Sequence, residues 1–230
     1  SGSSSQFVGE GSPAPVNALA FDSVTLPWSK ASTIVVLTAE LARMSNPAAE
    51  SIVRQDLLEG CAAYLDKRLL DPAYAGVANV SPASLTNGVT AVQATGATLA
   101  AVDANVRTAL TSFATAEQSL GRAVWVMSAS SAIRLSLMRT NQDTAAFPGL
   151  TVNGGTFYGL PVIVSNNVVG SGSAGDQFLI LINQPEVMLA DEGQMLIDVS
   201  TEASIEMNDA PSGGATSLRS LWQNGLMGVK

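Results

Sequence analysis

Residues 45–72 constrain the fold of this chain more than any other stretch, because they read as one long helix. Ser45-Asn46-Pro47 offers a polar N-cap followed by proline at the first helical position, where its missing N–H would have no partner anyway. Leu58, Cys61, Ala62, Leu65 and Leu69 then recur at spacings of three and four, on one face, until Pro72 stops the pattern. At about 1.5 Å per residue, the 24 residues 47–70 make a rod of roughly 36 Å. That is long for a chain of 230 residues, and its apolar stripe has to be covered by something.

Upstream of the helix, residues 1–5 are a Ser/Gly stretch that reads as a linker or tag remnant, and 9–15 form a turn-rich lead-in. Residues 19–28 and 33–37 look like strands; in the first, Phe21, Val24, Leu26 and Trp28 fall mostly at period two. Together they predict a two-stranded arm with Trp28 and Lys30 near its tip, and a hairpin alone is too small to be stable without a surface to lie on. Downstream, Leu99, Val102, Val106, Leu110 and Phe113 mark a second helix, expected to pack against the first. Val124-Trp125-Val126-Met127 is a short buried strand leading through Ser128 into a helical segment with Ile133, Leu137 and Met138. Asn153-Gly154-Gly155 predicts a hairpin turn between residues 150–152 and 157–158. Strands follow at 160–164 and 178–182 around a flexible loop at 170–173, and longer ones at 194–207 and 221–229 close a sheet. Helices first and mostly strands later argue for an α+β fold over a doubly wound parallel sheet.

Composition then bears on what the chain does. Charged residues make up 13% of it and hydrophobic ones 47%, whereas about a quarter charged is usual. The longest apolar runs, at 34–37 and 178–182, fall far short of the roughly 18 residues a membrane-spanning helix needs. The excess apolar surface is therefore expected to be buried against other subunits, as in obligate assemblies. Net charge is −8, and eight carboxylates lie between Asp176 and Asp209 with no Lys or Arg among them. A protein that grips phosphates needs the opposite sign. This stretch is either a solvated face or a patch that meets arginines on a neighbour.

Catalytic chemistry finds little support. The chain has no histidine, which removes the commonest general base and metal ligand and every Ser-His or Cys-His arrangement. Phosphate-cradling, dinucleotide and nucleophile-elbow glycine motifs are absent, so no cofactor is expected. Cys61, the single cysteine, excludes an intrachain disulfide and reads as a core thiol. Asp191-Glu192 precedes Gly193 as a turn would, with no calcium-loop pattern around it. Only Lys30, Lys67 and Lys230 could serve a Ser-Lys dyad. No catalytic, cofactor-binding or metal-binding residue is assigned.

The string of features resembles a known family. Phe7-Val8-Gly9-Glu10-Gly11 through Trp28 and Val35, into Ala39-Glu40-Leu41 and the helix, resembles the extended loop and spine helix of tailed-bacteriophage major capsid proteins. Val124-Trp125-Val126-Met127-Ser128 and Phe157-Tyr158-Gly159-Leu160-Pro161-Val162-Ile163-Val164-Ser165 resemble two further segments of that family, in order. Leu189-Ala190-Asp191-Glu192-Gly193 through Glu202 to Leu221-Trp222 resembles its final sheet. The resemblance implies the tailed-phage capsid fold, shared with herpesvirus-type capsids, in a processed or trimmed form. By residue, it implies an N-terminal segment and extended loop at 1–44, a peripheral domain with the spine helix at 45–120, an axial domain at 121–193, and terminal strands of the peripheral domain at 194–230. It further implies a subunit of the virion capsid that assembles in the bacterial host cytoplasm into hexamers and pentamers. These would enclose double-stranded DNA without reading its sequence, and other head proteins are possible partners. Trp28, Lys30, Phe21 and Leu26 are the candidate inter-subunit contacts. Some relatives cross-link through a Lys-Asn isopeptide bond, and Lys30 is placed as that lysine would be; with no matching asparagine or glutamate identified, a solvated or ion-pairing tip residue is the preferred reading.

Two other readings are carried forward. A bacterial nanocompartment shell protein uses the same fold around cargo enzymes. A monomeric Ser-Lys hydrolase predicts a defined pocket near Lys30 or Lys67.

Overall fold

The structure is a computed structural model that describes residues 7–10, 28–44, 48–168, 170, 177–190, 193, 196–209, 211 and 217–230. In chain order these form β1 (Val35–Thr38), α1 (Ala39–Met44), α2 (Ala48–Leu70), α3 (Leu99–Thr115), β2 (Ala123–Met127), α4 (Ala129–Ser136), β3 (Leu150–Thr151), β4 (Gly154–Phe157), β5 (Leu160–Val164), β6 (Leu179–Asn183), β7 (Val199–Ser200), β8 (Ser204–Ile205), β9 (Arg219–Ser220) and β10 (Leu226–Val229).

The apolar run of β2 cannot tolerate water on either side, and it becomes an inner strand of a five-stranded sheet in the order β3-β4-β5-β2-β6. It runs parallel to β5, with Trp125 opposite Val162, and antiparallel to β6, with Trp125 opposite Leu181. Strand alternation sends Trp125 and Met127 to one face, where they join Val106 of α3, Ala132 of α4, Leu150, Phe157 and Val162 in the main core. Val126 points the other way, to Leu70 at the end of α2 and to Val168. Aromatic rings brace the main core: Phe157 meets Trp125 edge-on at 5.7 Å and Phe147 at 4.9 Å.

Both helices flanking β2 begin where a hydroxyl can satisfy a free backbone N–H. Thr98 accepts from the amide of Ala101 at 3.3 Å, and Ser128 from that of Ser131 at 3.2 Å. α2 ends at Leu70, ahead of Pro72 as expected, while the expected cap at 45–47 lies outside the described residues. Its last carbonyls are taken up by the following loop: Leu85 donates its amide to Leu69 at 3.0 Å, and the Thr86 hydroxyl donates to Leu70 at 3.0 Å.

Several expectations are corrected. The stripe of α3 packs on the sheet beside Trp125 and Met127 instead of on α2, whose buried Leu70 lies on the opposite face; the sheet offers both helices a larger apolar surface than either offers the other. The hairpin turn is Val152-Asn153, and Gly154 and Gly155 already belong to β4, opposite Thr151 and Leu150. Both glycines have positive φ, and a Cβ on Gly155 would lie 2.2 Å from the carbonyl oxygen of Gly149, so they serve close backbone approach within the sheet. Overlapping residues 33–37, β1 pairs with β10, Val35 opposite Val229, at the edge of a sheet ordered β1-β10-β7. The first strand of the expected arm, with Phe21 and Leu26, and the loop at 171–173 lie outside the described residues. The two long closing strands are short ones, β7 to β10, with β8 paired only to β9 and the chain reversing at 221–225 before β10.

Candidate assembly surface

The groups that could have carried catalysis are scattered. Lys30 sits in exposed coil, Lys67 is exposed on α2, and Lys230 forms a backbone pair with Asp198 at 2.9 and 3.1 Å. Cys61 is half-buried on α2, and Asp191 and Glu192 lie outside the described residues. Among the described residues no cluster of His, Cys, Asp and Glu could hold a metal ion, and no helix is long and apolar enough to cross a membrane. Two open clefts flank Asp103 and Tyr158, but the Asp103 carboxylate already accepts the Tyr158 hydroxyl. Lys30 and Lys67 line none of the clefts described, where a Ser-Lys hydrolase would have needed them.

What the structure assembles is a surface. On α2, Leu57 is 6% exposed and Leu70 is buried, but the stripe that marked this helix in the sequence faces outward: Leu58, Ala62, Leu65 and Leu69 are exposed, Leu65 by 55%. Ile52 and Tyr64 add to the apolar exposure. The C-terminal part of the helix is tied to neighbouring segments. Asp66 accepts a hydrogen bond from the side chain of Asn167 at 3.1 Å, and the guanidinium of Arg68 stacks 4.2 Å from the ring centroid of Tyr74. A monomer rarely leaves such a leucine stripe in water, which makes it a candidate contact surface.

Trp28 extends this picture. Its side chain is 83% exposed and lines a small cleft with residues 75–83, beside the end of α2. Of the four candidate contacts, Trp28 and Lys30 are both at the surface with only Ser29 between them, while Phe21 and Leu26 lie outside the described residues. The leucine stripe itself was missed as a contact; its signal was present in the same spacing that was read as a helix core. Further exposed apolar side chains, Met188, Leu189, Leu196, Leu218 and Trp222, lie in the connections between β6 and β10.

The phage capsid family matches over residues 1–210. The capsid polyprotein of Pseudomonas phage PAJU2 is 40% identical over 233 aligned positions that take in all of this chain; the chain spans 35% of that relative's length. A solved structure from Gordonia phage Cozz superposes with a TM-score of 0.52 over 93% of this chain and 72% of its own, at 13% identity. One from Mycobacterium phage Ogopogo covers 94% of this chain and 77% of its own, with a TM-score of 0.49 at 15% identity. An α+β chain with an apolar-faced helical rod, matched over residues 1–210 by the family and over its whole length by part of a phage capsid polyprotein, belongs to the phage capsid family.

Proposed function

We propose that this chain is the shell-building subunit of a phage head, which associates with copies of itself into hexamers and pentamers that close around double-stranded DNA. The observation that carries the reading is the exposed stripe of Leu58, Leu65 and Leu69 on a helix whose other side is anchored to the fold. Burying such a stripe contributes about 25 cal/mol per Å² of apolar surface, and copies of the same chain are the partner a shell supplies in abundance. Trp28 is proposed as a second anchor between subunits, and Lys30 as a solvated neighbour of it. The net charge of −8 suits a wall that encloses DNA without gripping it, the counterions of the packaged DNA balancing its phosphates. The role is proposed to be geometric and not catalytic.

We further propose the division that the family resemblance implies: a peripheral domain with the spine helix at 45–120 and terminal strands at 194–230, and an axial domain at 121–193. The nanocompartment reading is not favoured, because the family and the relatives are those of phages.

Leu65→Glu tests the reading directly. It places a charge in the proposed contact while leaving the core of the single chain untouched, so sedimentation should find folded chains that no longer associate. Unchanged association in Leu65→Glu would remove the stripe from the interface.

A further inference from the structure

Asparagine followed by glycine is the step at which a backbone most readily attacks its own side chain, because glycine puts no Cβ in the path between its amide nitrogen and the carboxamide. The chain has three such steps, Asn87-Gly88, Asn153-Gly154 and Asn224-Gly225. All three lie among the described residues, and their surroundings differ.

The attack requires the carboxamide carbon to swing over the next backbone nitrogen, so a carboxamide tied elsewhere has to be released first. Asn87 is half-buried, and its Nδ2 donates to the carbonyl of Pro72 at 3.0 Å. Asn224 is exposed, but its Nδ2 donates to the carbonyl of Ser220 at 2.7 Å. The Asn153 side chain is exposed and has no hydrogen-bond partner among the described residues.

The backbone around Asn153 explains why glycine follows it. Asn153 is the second residue of the two-residue turn between β3 and β4, closed by Thr151 opposite Gly154. Gly154 has φ of 115°, and a Cβ there would lie 2.8 Å from the carbonyl oxygen of Val162. The sheet thus excludes a side chain at this position, and by doing so it leaves an unhindered nitrogen beside a loose carboxamide.

We propose that Asn153 is a site of spontaneous covalent modification, the first of the three asparagines to convert in the folded chain. The Gly154 nitrogen gives up its proton to solvent base and attacks Cγ of Asn153. The new N–Cγ bond closes a five-membered imide, the Cγ–Nδ2 bond breaks, and Nδ2 takes up a proton in place of the one lost and leaves as ammonia. One water then opens the imide at either carbonyl, giving aspartate or isoaspartate. Either product adds one negative charge to a chain that already carries −8. Isoaspartate also routes the backbone through the β-carbon, which lengthens a turn that the register limits to two residues, next to buried Leu150 of β3. The inference is independent of the self-assembly proposed above, since the reaction needs only the folded chain and water.

The test keeps the full chain folded in mildly alkaline buffer, samples it over days, and maps the digested samples by mass spectrometry, which reads a gain of about 1 Da for each amide replaced by a carboxylate. The Asn153 peptide is expected to convert about fivefold or more faster than the Asn87 and Asn224 peptides, the factor set by one hydrogen bond that has to break. A parallel sample unfolded in urea should convert all three at comparable rates, which assigns the difference to the fold. Equal rates in the folded chain, or an Asn153 slower than either of the others, overturn the proposal, and this map of the unsubstituted chain decides the matter without any variant. Asn153→Gln, whose longer side chain would have to close a six-membered ring, should remove the earliest acidic species from isoelectric focusing. Persistence of that species in a folded Asn153→Gln chain overturns the proposal as well.

Discussion

Four residues between β3 and β5, Gly154, Gly155, Tyr158 and Gly159, hold backbone conformations that side chains resist. Gly155 has φ of 131° beside the Gly149 carbonyl, so Gly155→Ala meets both a strained backbone and a clash. It is expected to lower stability by about 2–4 kcal/mol in urea unfolding. Tyr158 has φ of 50° and Gly159 of 80°, the pair of left-handed residues that a two-residue turn between twisted strands requires. A tyrosine there costs on the order of 1 kcal/mol, offset by its hydroxyl bond to Asp103 and its rings packed 4.8 Å from Phe157 and 5.6 Å from Phe147. Phe157 is fully buried between these rings and Trp125, so Phe157→Ala should cost about 3–5 kcal/mol and lower the unfolding midpoint. Glycines and a tyrosine at these positions were visible in the sequence, but their φ values were not, which is why Gly154-Gly155 was placed in the turn instead of just after it.

Among the elements, α2 separates folding from assembly along a single helix. Leu57→Ala removes a buried side chain and is expected to cost about 2–5 kcal/mol of stability. Trp28→Ala, which removes an exposed one, should leave thermal unfolding of the single chain unchanged and weaken association by a few kcal/mol in sedimentation. A stability loss in Trp28→Ala without an association loss would reverse that assignment. The helix itself, its stop before Pro72, the stripe of α3 and the buried strand β2 were legible in sequence, since each rests on local spacing. What covers a stripe was not, because periodicity records that an apolar face is covered and never by what. The stripe of α3 found the sheet of its own chain, whereas that of α2 is left exposed. Residues 33–37 illustrate the same limit: their β character was readable, but pairing with β10, nearly two hundred residues away in sequence, is a non-local choice.

For the whole molecule, low charge, a long rod and uncovered leucines form a single pattern. The chain folds around a modest core and leaves apolar surface exposed, so on the proposed function its stability as a monomer and its association would reside in different residues. That division is what a shell subunit requires, because it must fold before it meets its neighbours. The central claim, that copies of this chain associate with one another, is tested most directly by the mass and shape of the purified particle, from light scattering followed by negative-stain microscopy. The account predicts rings of five or six subunits or closed shells. A strictly monomeric chain across the accessible range of concentration and salt would contradict it.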